Sequence, residues 1–285
     1  MKSIASQIDA RAIAAEVRME RQSHRGAFLL LEGGTDIKRF ERIIDEPRCS
    51  VVNCFGKVNV VEAIEILYDD GFVGALGLID ADFDRILGKL PDHEGLVASA
   101  THDFDLDVAT TSALERYLTE VADQAKLRTL GGARPLLDGL LTALKPLTAM
   151  RFANQKHKLG YSFDSLDLEP FFDGESINVE KMVEEVSWGK HAADANKAAL
   201  VEHIGRYAGS NIDLFQATCG HDLCAALGIA LRGLAGDRKR PQTWRSEIEM
   251  HLRLAFDLDH FREMPACRQI AEWEFDNPPH SVVRT

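Results

Sequence analysis

Two short stretches carry acids in a pattern suited to phosphate chemistry. Leu29-Leu30-Leu31-Glu32-Gly33-Gly34-Thr35-Asp36 and Leu78-Ile79-Asp80-Ala81-Asp82-Phe83-Asp84 are apolar runs that stop abruptly in carboxylates. A buried strand can carry acids at its carboxyl end, where the chain leaves the sheet and meets water. In open α/β sheets that edge is where ligands bind. Asp80 and Asp82 are two apart and project the same way from an extended chain, so both reach one ion. Glu32 and Asp36 are four apart across a glycine turn and aim at one point above the sheet, although Asp36 also suits a helix N-terminus. Acids gathered in this way repel one another unless a cation neutralises them. Hard oxygen donors suit Mg²⁺ or Mn²⁺ better than zinc. The expected centre is therefore a divalent-metal site that handles phosphate esters.

Further residues bear on that chemistry. In His102-Asp103-Phe104-Asp105-Leu106-Asp107, Asp103 suits a helix N-cap, while Asp105 and Asp107 repeat the spacing of Asp80 and Asp82. Asp84 either continues the acidic set or starts a helix. Lys57, in the turn Gly56-Lys57, opens onto the same edge and can neutralise developing charge or remain a solvated lysine. Arg151, Lys156 and Lys158 form a basic patch, followed by Tyr161 and Phe163 as stacking surfaces for bases. Arg238-Lys239-Arg240 is a second basic run, expected in an interhelical loop. Cys219, His221 and Cys224 lie close together but lack a fourth zinc ligand; His221 can instead reach the acidic site. The chain carries no Gly-x-x-x-x-Gly-Lys-Ser/Thr loop and no Gly-x-Ser-x-Gly elbow.

The elements that must position these residues follow from periodicity. Ile4 to Arg21 reads as an amphipathic helix. Ala27 to Leu31, Ser50 to Phe55, Phe72 to Ile79 and Gly95 to Ala100 read as strands, with helices at Asp36–Ile44 (N-cap Thr35) and Val58–Tyr68 between them. Helical pattern runs from Leu106 to about Leu130. Alternation of this kind predicts an α/β fold with a parallel sheet of about four strands and flanking helices. Helices are predicted over Pro135–Met150, Val179–Val186, Ala192–Tyr207, Leu223–Leu234, Trp244–Phe256 and Arg262–Trp273, with a short hairpin within Leu159–Phe172. Three regions result: an N-terminal helix (1–26), the α/β domain (27–130) and a mainly helical C-terminal region (131–285).

Composition sets outer bounds. Of 285 residues, 45% are hydrophobic and 27% charged, which allows a sizeable buried core. A net charge of −12 argues against general binding to nucleic acid through a basic surface, but leaves room for a nuclease whose acids sit on metal. Five cysteines, an odd number without a dense framework, suit reduced thiols. Met1 to Gln7 lacks the apolar core of a signal peptide, and no window is apolar enough to span a bilayer. A cytoplasmic protein without membrane contact is the expectation.

Glu32 at the end of the first strand, with Asp80 and Asp82 at the end of a later one, resembles the Toprim domain. That domain is shared by topoisomerases, bacterial primases, RecR and the OLD-family nucleases. The OLD-type group adds an acid four residues after the glutamate, matched by Asp36, and a later acidic pair, matched by Asp105 and Asp107; Asp107 stands where that group has Glu. Gly77 to Asp84, Cys219-Gly220-His221-Asp222-Leu223 and Ile270-Ala271-Glu272-Trp273 are further similar to the stand-alone, AriB-like Toprim proteins of the PARIS anti-phage system. These matches span most of the chain, and only the acidic motifs are chemically specific. The resemblance implies a Toprim-like fold and a metal-dependent endonuclease toxin used in antiviral defence. It further implies an RNA substrate such as tRNA and an ABC-type ATPase partner, while a homodimeric active state is one option and the oligomeric state stays open. Two ions are implied, the first held by Glu32, Asp80 and Asp82 and the second by Asp36, Asp105 and Asp107, clamping the scissile phosphate. Glu32 is alternatively a general acid or base. A non-catalytic module that docks an ATPase or nucleic acid is the competing reading, and topoisomerase or primase activity a third.

Overall fold

The structure, a computed structural model, describes residues 8–163, 166–187 and 194–284. The chain divides into two compact units: residues up to Asp103 together with Phe256 onward, and Phe104–Ala255.

The first unit is built on four parallel strands, β1 (Ala27–Leu31), β2 (Cys49–Asn53), β3 (Ala75–Ile79) and β4 (Leu96–Ala98), in the order β2-β1-β3-β4. Every residue of β1 and β3 is buried, which is why both read as unbroken apolar runs. Helices α1 (Ala10–Glu20), α2 (Gly34–Phe40), α3 (Lys57–Asp69) and the single turn α4 (Asp84–Leu87) alternate with the strands. Ile13, Ala14 and Val17 of α1 pack with Ala63, Ile64 and Leu67 of α3 over Phe28 and Leu30 of β1. Gly77 lets α3 lie close to the sheet: a Cβ there would stand 2.7 Å from Val60 Cγ1 and 2.8 Å from Leu96 Cδ2. Because β1 pairs with β2 on one side and β3 on the other, the chain moves from β1 to β2 in one direction and then crosses back to β3 in the other. The carboxyl ends of β1 and β3 thus meet at the switch point of the sheet.

The predicted strands and intervening helices are present, with shifted ends. The helix after β1 starts at Gly34 with Gly33 as its N-cap, so Thr35 lies inside it rather than capping it. Residues 4–7 of the expected first helix, and 192–193 of the helix expected over Ala192–Tyr207, lie outside the described residues.

The second unit is helical: α5 (Phe104–Thr110), α6 (Ser112–Val121), α7 (Gln124–Thr129), α8 (Ala133–Ala143), α9 (Lys145–His157), α10 (Val179–Ser187), α11 (Asp194–Ala208), α12 (Leu214–Ala217), α13 (Gly220–Ala230) and α14 (Arg245–Ala255), with a 3₁₀ turn at Arg240–Thr243. Leu118, Leu137, Leu141, Met150, Leu227 and Ile248 are part of its core. The long pattern from Leu106 to Leu130 is three helices, because Thr111 and Asp123 turn their side chains back to cap α6 and α7. The helix expected over Pro135–Met150 breaks at Leu144, beside Pro146 in the first turn of α9. The hairpin expected within Leu159–Phe172 is irregular chain among the described residues. Its aromatic rings Tyr161 and Phe163 are buried in the core, and Phe172 makes only an isolated bridge to Ile177.

The chain then returns to the first unit as α15 (Leu258–Arg262) and α16 (Pro265–Asp276). Phe261 meets Phe40 edge to face, the Trp273 indole N–H donates to the Tyr68 hydroxyl (3.1 Å), and Val283 bridges to Ile44. These units cut the chain at different places from the sequence division, which set boundaries at 26 and 130.

Candidate metal centre at the carboxyl edge of the sheet

Glu32 follows the last residue of β1, and Asp80 the last residue of β3. The pairing of Leu31 with Leu78 sets these strand ends side by side. The Asp80 backbone N–H donates to Glu32 Oε1 at 2.8 Å, which fixes the glutamate over the end of β3. The Glu32 carbonyl in turn accepts from the Gly56 N–H (2.8 Å), tying in the turn after β2. Phe55 and Gly56 both have positive φ in that turn, and it delivers Lys57 to the start of α3.

Beyond Asp80 the backbone leaves the strand conformation. Ala81 N–H donates to Ser99 Oγ (2.8 Å) and Asp82 N–H to the His102 carbonyl (2.6 Å). Asp82 itself has φ +48°. A left-handed conformation costs a non-glycine residue roughly 1–2 kcal/mol, and such strain gathers at functional loops. Asp80 and Asp82 therefore do not project as neighbours two apart on one extended strand, contrary to the spacing argument. Asp82 is instead gripped by Lys57, whose ammonium donates to Asp82 Oδ2 (3.0 Å) and Asp84 Oδ2 (2.6 Å). Arg85 holds the facing loop by donating to the carbonyls of Ser99 (2.6 Å) and Ala100 (2.8 Å).

Electrostatics mark the centre of the site. Burial, reinforced by the charges of Asp82 and Asp36, raises the Glu32 carboxyl to about 7, against the pull of the Asp80 N–H. Burial also raises Asp80 well above the usual carboxylate range, with Asp103 and then Glu32 adding to it and Arg39 opposing. Burial disfavours the Lys57 ammonium, but its bonds to Asp84 and Asp82 outweigh that and hold it charged. Asp36 pairs with the buried Arg39 (2.5 Å), one turn further along α2.

Asp103 joins the set. It immediately precedes α5, where an N-cap was expected, and its charge is the first to act on Asp80 after burial. Its position five residues beyond β4 was the available signal, since the neighbouring β3 ends in the same way. Asp105 and Asp107 lie on α5 in the second unit. Asp107 is 1% exposed, and Asp105 Oδ2 stands 3.8 Å from His221 Nδ1, which is itself 2.8 Å from Glu249 Oε1.

The expected basic patch is divided. Arg151 makes a two-point ion pair with the buried Asp222 (2.5 and 2.7 Å) beneath Phe163, so its guanidinium locks α9 to α13 instead of standing in a loop. Lys156 lies over the Phe152 and Tyr207 rings, and Lys158 is exposed in a left-handed turn after α9.

The carboxylates at this edge are hard oxygen donors, of the kind a divalent cation takes. Glu32 and Asp80 stand at adjacent strand ends and are pushed towards the neutral form by burial and by neighbouring carboxylates, whereas the ligand atoms of Glu32, Asp80 and Asp82 do not form one close group. A cation seated there removes both penalties. Compared with models of known families and with curated proteins, the chain matches none. Among the described residues no helix is long and apolar enough to cross a membrane.

Proposed function

We propose that this protein is a metal-dependent phosphodiesterase of the Toprim type, acting on nucleic acid. The observation that carries this reading is the hydrogen bond of 2.8 Å by which the Asp80 backbone N–H holds the Glu32 carboxylate at the switch point of a parallel sheet. Glu32, Asp80 and Asp82 would hold Mg²⁺ or Mn²⁺, which when bound supplies Lewis-acid stabilisation of a phosphate oxygen and lowers the pKa of water. The resemblance adds a second ion, with Asp36 among the ligands it implies.

The chain's own groups have definable parts. Glu32, whose carboxyl burial raises to about 7 in the metal-free chain, is alternatively an acid or base rather than a ligand. Lys57 stays cationic, orients Asp82 and Asp84, and places positive charge where a phosphorane would develop negative charge. An antiviral role, cleavage of RNA such as tRNA, restraint by an ABC-type ATPase and a homodimeric active form rest on the AriB-like resemblance alone.

A docking module without catalysis is the second reading. It draws on the same Lys57, whose ammonium already compensates Asp82 and Asp84 as a purely structural cation would. The two readings diverge in one experiment. Wild-type protein and Glu32→Gln are expressed in cells, RNA ends are sequenced, and the purified proteins are melted with and without Mn²⁺. New RNA ends and Mn²⁺ stabilisation, both abolished by Glu32→Gln, are expected. Unchanged RNA together with a melting curve indifferent to Mn²⁺ would leave only the docking role.

A further inference from the structure

In the second unit, the segment Leu166–Glu169, α13, the 3₁₀ turn and the start of α14 enclose an open cleft of about 340 Å³. Ala225 and Ile229 give its lining an apolar part, and Arg232, Arg240 and Arg245 line it together with the acids Asp167 and Glu169. The Trp244 indole lines it with 54% of its surface exposed. This site is distinct in composition from the acidic centre, in a chain of net charge −12.

The Trp244 platform is firmly mounted. Its carbonyl accepts the N–H groups of Glu247 (2.9 Å) and Ile248 (3.1 Å) at the first turn of α14. The turn before it lies hard against α13, since a Cβ on Gly228 would stand 2.2 Å from the Thr243 carbonyl oxygen. An exposed indole on rigid backbone presents a flat apolar face at little entropic cost. Glu169, also in the lining, is shared between Arg232 (2.8 Å) and Arg240 (2.7 Å), and Asp167 stands 3.8 Å from Arg240. These two carboxylates, one of them only at 3.8 Å, leave donors over on two guanidinium groups with five N–H bonds each. Arg240 also keeps 60% of its side chain in solvent.

A flat aromatic face beside guanidinium groups matches a ligand with a planar ring and a phosphate. We infer that this cleft binds a nucleotide, its base stacked on Trp244 and its phosphate on Arg240. The nucleotide is either free or one unit of a single strand. Glu169, the nearer of the two acids on Arg240, competes with the phosphate for it and so lowers the affinity. The inference stands on the cleft alone and does not depend on the acidic site.

The test is fluorescence titration of the full chain with AMP, a single-stranded RNA oligonucleotide and inorganic phosphate, with equilibrium dialysis as a second readout. Saturable quenching is expected. AMP binding identifies a free nucleotide, and saturation by the oligonucleotide alone identifies a strand unit. Arg240→Ala and Trp244→Ala should each weaken binding at least about tenfold, with unchanged circular dichroism. Glu169→Gln should tighten it several-fold, a gain that a purely structural role for Glu169 would not produce. Glu32→Gln should leave it unaltered, which separates this result from the fate of the nuclease reading. Failure of both nucleotides to saturate, inorganic phosphate competing at the concentration at which AMP binds, or wild-type affinity in Arg240→Ala would overturn the assignment.

Discussion

At the scale of the residue, Glu32 ties stability to pH. Its carboxyl is near 7 when folded and about 4.5 when unfolded, so the folded state binds more protons between those values. Stability must therefore fall as pH rises from about 4.5 to 7. The shift corresponds to roughly 3 kcal/mol, shared with the neighbouring Asp80. Urea melts of metal-free protein at pH 5 and pH 7 should show this loss, and Glu32→Gln should flatten it. Mn²⁺ should reverse the slope, because its ligands bind as carboxylates. Lys57 has the opposite role: Lys57→Met leaves Asp82 and Asp84 uncompensated and should cost about 1–3 kcal/mol, read as a lower urea midpoint at constant m.

At the scale of the element, the sheet tolerates little change where α3 crosses it. Gly77→Ala pushes a methyl group against Val60 and Leu96 and should destabilise by about 1–3 kcal/mol. Gly139 offers the contrast. It lies inside α8 with no atom within 4 Å of a Cβ, so Gly139→Ala should stabilise by about 0.5–1 kcal/mol. Thermal melts of the two variants should move in opposite directions. Apolar runs and glycine turns made β1, β3 and the helices after them legible, because full burial on both faces admits few other residues. The breaks at Thr111, Asp123 and Leu144 were harder to see, since each is a local cap or proline effect within an apolar period that continues past it.

At the scale of the molecule, the first unit is discontinuous. Its last 30 residues close it: Glu274 Oε1 accepts the N–H groups of Val282 (2.6 Å) and Val283 (3.0 Å), and Arg284 donates to the Ile44 carbonyl (2.6 Å). A fragment ending at 130, the sequence boundary, lacks Phe261, Trp273 and this tail and also cuts the second unit. It should show no cooperative thermal transition, whereas the full chain does; a sharp melt from the fragment would refute this account of the fold.

What the sequence determined by itself was local in origin. Strand burial reads out as apolar runs, and acids at their ends must lie on one edge of a parallel sheet. Hence Glu32, Asp80 and the four-stranded α/β fold could be placed from the order of residues alone. The tertiary structure alone decided which acids share a field and which are neutralised. It turned Asp82 into a left-handed conformation under Lys57, brought Asp103 to bear on Asp80, and paired Arg151 with the buried Asp222. Those outcomes depend on through-space distances between residues far apart in the chain, and Coulomb energy and burial follow distance rather than spacing along the sequence.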